Sequence, residues 1–96
     1  KAEVRYRRAI AIDPRYAPAL YNLGILRTNA GATAEAIDLY RRATKADPTL
    51  GVAFLNLGLA LNEAGKTDAA NAALNRALEL DPGLNGRIPA DAKPTS

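Results

Sequence analysis

Residues 20–53 read LYNLGILRTNAGATAEAIDLYRRATKADPTLGVA, and the residues that follow repeat the pattern of this stretch. Several markers recur at one fixed interval: Asn-Leu-Gly at 22–24 and 56–58, Ala-Gly at 30–31 and 64–65, and Asp-Pro at 13–14, 47–48 and 81–82. A shared period of about 20 to 50 residues is the sequence signature of a stacked repeat array. The chain is therefore predicted to be built from repeated structural units.

Each period is predicted to contain two helices joined by a glycine turn. The expected helices are 1–12, 17–30, one that Thr33 caps and Asp47 ends, 52–64, and 68–80 with Thr67 as its cap. Gly31 and Gly65 stand where a left-handed residue would end a helix. Connections this short make consecutive helices antiparallel neighbours. The breakers after Gly83 predict a flexible tail over residues 85–96.

The composition excludes several classes of site. The 96 residues make at most one small domain, with no Cys, no His and a single Ser, at position 96. Thiolate metal sites and the commonest general base are therefore absent, and no catalytic, metal or cofactor site is predicted. A net charge of +3 without a basic stripe gives no reason to expect nucleic acid as a partner.

Targeting features are also lacking in the sequence. No apolar run approaches the roughly 20 residues of a membrane span, and no signal-peptide pattern occurs near Lys1. The expected compartment is unknown, with the cytoplasm as the default. Because no Met occurs at any position, the sequence is interpreted as an excerpt from a longer protein.

Large and small residues follow one order in each period. The first full unit has Leu20-x2-Leu23-Gly24-x2-Arg27, then Ala36-x3-Tyr40, then Pro48. The second has Phe54-x2-Leu57-Gly58-x2-Leu61, then Ala70-x3-Leu74, then Pro82. A preceding half unit has Ala2-x3-Tyr6 and then Pro14. This order resembles the tetratricopeptide repeat family, whose helix–turn–helix unit reads W-x2-L-G-x2-Y, then A-x3-F, then P. The resemblance implies an all-α fold of antiparallel helix pairs stacked into a right-handed superhelix, an α-solenoid. Its expected domain is 1–84, divided into 1–14, 17–50 and 51–84, before the tail at 85–96.

Packing explains why small residues recur in the pattern. Gly24 and Gly58 are predicted where two helices cross closely, with Tyr40 and Leu74 filling the space around them. A side chain at either glycine would push the two helices apart.

Two features depart from the family pattern. Arg27 occupies a position where an aromatic residue is usual, so either its stem packs while its guanidinium reaches water, or it borders a ligand groove and meets a carboxylate. Two and a half repeats also leave Leu74, Leu78 and Leu84 facing a missing neighbour. Either a longer parent protein or self-association through uncapped ends would cover them.

The first helices of stacked pairs line the concave side of a superhelix, where members of this family usually hold a peptide. The groove predicted here is lined by Pro18, Tyr21, Asn22, Ile25, Thr28, Asn29, Val52, Leu55, Asn56, Leu59, Asn62 and Glu63. Leu55 and Leu59 would either pack between neighbouring first helices or accept an apolar partner segment. Asn22 and Asn56 could form an amide ladder along a peptide backbone.

The sequence thus predicts a protein–protein interaction scaffold that binds a peptide or partner helix, and not an enzyme. One alternative is the substrate-recruiting segment of a larger enzyme, such as a glycosyltransferase. The other alternative is a self-associating structural module.

Overall fold

Each of the two full sequence repeats folds as a pair of α-helices. The computed structural model describes residues 1–94, with α1 at Ala2–Ile12, α2 at Ala17–Asn29, α3 at Thr33–Ala46, α4 at Gly51–Glu63 and α5 at Thr67–Leu80. Two 3-10 helices follow, at Pro82–Arg87 and Ala90–Ala92. Residues 1–94 contain no strand, so the predicted all-α repeat solenoid is confirmed. None of their helices combines the length and the apolar character needed to cross a membrane.

The turns within the repeats follow the predicted glycines but not the predicted threonine caps. Gly31 and Gly65 have φ of 80° and 81°, the left-handed conformation that ends a helix. The threonine prediction is wrong, because Ala32 and Lys66 are the N-cap residues and no side chain caps either helix. The N–H of each N-cap residue bonds back to the preceding helix, Ala32 to the Arg27 carbonyl at 2.8 Å. This bond starts the next helix one residue earlier than the sequence indicated.

The aspartate of each Asp-Pro pair accepts a backbone hydrogen bond in the turn between two helix pairs. In each Asp-Pro turn the aspartate Oδ1 accepts a hydrogen bond from the backbone N–H two residues later, at 3.1 Å for Asp13, 3.0 Å for Asp47 and 3.0 Å for Asp81. Such a side-chain turn fixes the path between helix pairs. The same turn therefore sets the same offset between successive units.

Helix pairs cross closely at Gly24 of α2 and Gly58 of α4, which are equivalent positions of the two repeats. A Cβ built on Gly24 would lie 2.5 Å from Tyr40 Cε1, and one built on Gly58 would lie 2.6 Å from Leu74 Cγ. Tyr40 and Leu74 are themselves buried, at 2% and 0% exposure. The predicted role of both glycines at a close crossing is thus confirmed.

The segment after α5 packs on the last repeat instead of forming the predicted loose tail. Leu84, Ile88 and Ala92 are buried and form one cluster with Leu55 and Leu74. This cluster also covers Leu78 in part, so the expectation that Leu74, Leu78 and Leu84 face a missing neighbour is wrong. Thr95 and Ser96, the end of the predicted tail, lie outside the described residues.

Ion pairs attach α1 to the first full repeat. Arg27 Nη2 of α2 lies 2.8 Å from Glu3 Oε1, and Arg7 bridges Glu3 and Glu35 at 3.1 Å each. Arg27 therefore meets carboxylates of its own chain, on the side of α2 that faces α1. Of the two interpretations of Arg27, neither holds as stated, because its guanidinium is paired but does not line the groove.

Candidate functional site

A pocket lies between α2 and α4, and residues of α3 also line it. Its volume is about 200 Å³, and nine residues line it: Ile25, Thr28, Asn29, Thr33, Tyr40, Asn56, Leu59, Ala60 and Glu63. The pocket exists because the two first helices, α2 and α4, stack side by side while α3 closes the space behind them. This is the place where stacking of helix pairs leaves a concave surface.

The structure brings together half of the residues predicted from the sequence. Six of them line this pocket: Ile25, Thr28, Asn29, Asn56, Leu59 and Glu63. The other six do not line it: Pro18, Tyr21, Asn22, Val52, Leu55 and Asn62. Ile25 and Leu59 supply apolar walls from opposite helices, while Asn29 and Glu63 supply polar groups at the helix ends. The pocket therefore lies at the C-terminal halves of α2 and α4, and the longer groove stays a prediction.

Leu55 departs most from its predicted place. It is 1% exposed, because Leu84, Ile88 and Ala92 of the C-terminal segment pack in the same cluster. Leu55 is therefore a core residue, and neither of the two roles considered for it describes its contacts. Leu59 lies one turn further along α4 and remains partly exposed in the pocket.

Hydrogen bonds fix the polar groups in and behind the pocket. The Thr28 hydroxyl donates to the Gly24 carbonyl at 2.9 Å and lies 3.0 Å from the Tyr40 hydroxyl. Since Thr28 has one proton to donate, Tyr40 donates its own proton to Thr28. Asn56 Nδ2 donates to the Tyr21 hydroxyl at 3.5 Å, which is a long bond. Of the two amides in the predicted ladder, Asn56 lines this pocket and Asn22 does not, so the ladder stays a prediction.

Three lining residues were missed by the sequence analysis: Thr33, Tyr40 and Ala60. Tyr40 was predicted only as a core residue. Its ring lies against Gly24 of α2 and lines the pocket, and a buried tyrosine hydroxyl needs a polar partner. The need of the Tyr40 hydroxyl for a hydrogen-bond partner was therefore the feature of the sequence that pointed to a polar site beside the core. Thr33 lies on the rim, where its hydroxyl is 3.4 Å from Glu63 Oε1.

The Tyr40 phenol should make stability depend on pH. Burial raises the pKa of Tyr40 above its ordinary value of 10.0. Above pH 10 the unfolded chain ionises this phenol while the folded chain keeps it neutral, so stability present below pH 10 is lost as the pH rises toward the folded pKa. In urea unfolding at pH 8 to 11.5, we expect Tyr40→Phe to lose less stability with pH than the parent chain. Parallel curves for the two proteins would contradict this.

The chain is similar to known proteins in both sequence and structure. Family models described as tetratricopeptide repeat match residues 1–58 and residues 52–83. Among solved structures, the chain is similar to the crystal structure of MamA, with 31% sequence identity and a TM-score of 0.78 over 84% of this chain. The match covers 47% of the MamA chain, so this chain spans about half of that length. A comparison with curated protein sequences finds no match.

Proposed function

Because the chain belongs to the tetratricopeptide repeat family, and is in general terms a protein-interaction module, we propose that it binds a peptide in the pocket between α2 and α4. The observation that carries this proposal is the pocket's composition. Apolar walls from Ile25, Leu59 and Ala60 stand beside the side-chain amide of Asn56. In this proposal the module binds and does not catalyse.

The pocket favours one kind of peptide. A volume of about 200 Å³ accommodates one or two apolar side chains, and burying them supplies most of the affinity. The Asn56 oxygen can accept a backbone N–H of the peptide, which adds orientation without demanding a particular sequence. No Lys or Arg lines the pocket, so a clamp for carboxylates is not part of the proposal.

A steric block at the pocket rim tests the proposal without disturbing the core. Asn29 is exposed at the end of α2 and lines the pocket, whereas Asn75 is exposed on α5 outside it. Peptides selected from a random library against the parent chain should bind Asn29→Trp at least about tenfold more weakly, since the indole occupies the space of a peptide side chain. The matched variant Asn75→Trp should bind them as the parent does.

Affinities measured by fluorescence anisotropy decide the outcome. If the selected peptides bind both tryptophan variants equally, the pocket is not the binding site. Weaker binding by Leu59→Asn, with helical circular dichroism unchanged, would independently support the apolar wall.

A further inference from the structure

A second cavity, with three cations on its walls, lies at the turn between α1 and α2 beside the C-terminal end of α3. Its volume is about 350 Å³, and five residues line it: Pro14, Arg15, Arg42, Lys45 and Ala46. We call it the basic pocket, because no acidic residue lines it. None of the ion pairs formed within residues 1–94 involves its three cations. A cavity whose walls carry charge of one sign concentrates ions of the other sign.

The internal repeat shows how the same place is neutralised one period later. The counterparts of Arg42 and Lys45 are Arg76 and Glu79, and those two side chains form an ion pair at 3.1 Å. In the earlier unit a lysine stands where this glutamate would be. The charge of that one position is therefore reversed, and Arg42 has no acid at the place where Arg76 finds one.

The exposure of the basic pocket belongs to its place in the repeat. Thr49, Arg76 and Glu79 hold the equivalent positions one period later, where a complete helix pair precedes them, and all three are exposed. A preceding helix pair thus leaves this place open to solvent. The cations at the first of the two places are accessible for the same reason.

Local hydrogen bonds position the walls of the basic pocket. Arg42 Nη2 donates to the Pro14 carbonyl at 3.4 Å, which holds its guanidinium against the turn. Asp13 is the nearest acid in the turn, but its Oδ1 accepts the Arg15 backbone N–H at 3.1 Å and it does not line the basic pocket. Asp38 lines a neighbouring cavity with Arg42 and forms no ion pair with it. The nearby carboxylates therefore leave the cations without a partner in this structure.

The number of cations favours one class of anion. A phosphomonoester carries a charge of about −1.5 to −2 at pH 7 and three acceptor oxygens, so it can accept from three cationic groups at once. A carboxylate carries a single charge on two oxygens, and the guanidinium fork suits phosphate as well as it suits carboxylate. The C-terminal end of α3 adds only about half a negative charge, which three cations exceed. The ligand that fits best is thus a phosphate ester.

We propose that the basic pocket binds a phosphomonoester group, with Arg15, Arg42 and Lys45 as its donors. A phosphorylated segment of a partner protein is the expected source, because the chain is in general terms a protein-interaction module. A small phosphate ester has the same chemistry and is the second source. The basic pocket shares no residue with the pocket between α2 and α4, so this proposal does not rest on peptide binding there.

The probe is a fluorescent peptide of alanine and glycine with one central phosphoserine, compared with the same peptide carrying serine. Measured by anisotropy at about 50 mM salt, where screening is weak, the chain should bind the phosphorylated peptide at least about tenfold more tightly. Lys45→Glu reproduces the Arg76–Glu79 arrangement and should reduce this preference to about twofold or less.

Lys66→Glu is the matched control, since it changes the net charge by the same amount. Lys66 is exposed in the turn between α4 and α5, at the opposite end of the antiparallel helices. The preference for phosphoserine should stay unchanged in this variant, and the circular dichroism of both variants should stay helical. Equal losses in the two variants would show attraction by net charge alone and would overturn the proposal.

Two further ligands define what the basic pocket recognises. A peptide with aspartate in place of phosphoserine should bind several-fold more weakly, and equal affinity would overturn the assignment to phosphate. Phenyl phosphate should displace the phosphoserine peptide from the parent chain. Displacement only at a concentration more than about tenfold above the affinity of the peptide supports a protein segment as the source, and displacement at an equal concentration supports a small phosphate ester. No displacement at all would contradict the proposal.

Discussion

Gly24→Leu is expected to destabilise the chain by roughly 3 kcal/mol or more, the upper end of what overpacking costs. A Cβ at this position already lies 2.5 Å from the Tyr40 ring, before the rest of the leucine is placed. Tyr40 cannot yield easily, because it is 2% exposed and bonded to Thr28. Leucine gains about 1 kcal/mol over glycine in helix propensity, which the clash exceeds. Urea unfolding followed by circular dichroism measures the difference.

Gly86→Leu is the matched control for this substitution. No atom lies within 4 Å of a Cβ built on Gly86, and its φ is not positive, so the change should shift stability by no more than about 0.5 kcal/mol. Equal stability of the Gly24→Leu and Gly86→Leu variants would mean that α2 and α3 do not cross as closely as the structure shows.

The fold could be predicted from the sequence because its determinants are local and repeated. Gly31 and Gly65 mark turns that need a residue in the left-handed conformation. Asp47 ends α3 because the residue before a proline is kept out of the helical conformation by its own backbone, independently of tertiary contacts. The pairing of Gly24 with Tyr40 could also be predicted, because a small and a large residue recur at the same two positions of the next period. Each marker was seen at least twice, which removed the ambiguity of any single one.

Half of the candidate site could not be predicted, because its limits depend on contacts that do not repeat. Leu55 has the same register as Tyr21, yet only Leu55 is covered by the segment that follows α5. Nothing in the composition of residues 83–94 distinguishes a loose tail from one that packs, since 3-10 helices have weak sequence signals. Arg27 shows the same limitation, because its partners Glu3 and Glu35 belong to other helices.

Ile88→Ala is expected to cost about 2–5 kcal/mol, the usual range for removing a large aliphatic side chain from a core. Ile88 is 3% exposed, although it lies in a segment with no α-helix of its own. Its counterpart one period earlier is Phe54 of α4, the first helix of its pair. Ile88 therefore stands at the sequence position that a first helix would hold in a further repeat. Loss of its side chain should release the segment and expose Leu55 and Leu74 to water. Urea unfolding measures the cost, and limited proteolysis after Arg87 detects the release.

Ile12→Ala provides the same chemical change on a side chain that is 80% exposed. It should alter stability by no more than about 0.5 kcal/mol, because little apolar area is returned to water. If Ile88→Ala also proves that mild and leaves Arg87 protected from protease, the C-terminal segment does not cap the stack. A large effect at Ile88 beside a small one at Ile12 would show that the segment of residues 82–92 shields the α4–α5 pair from water.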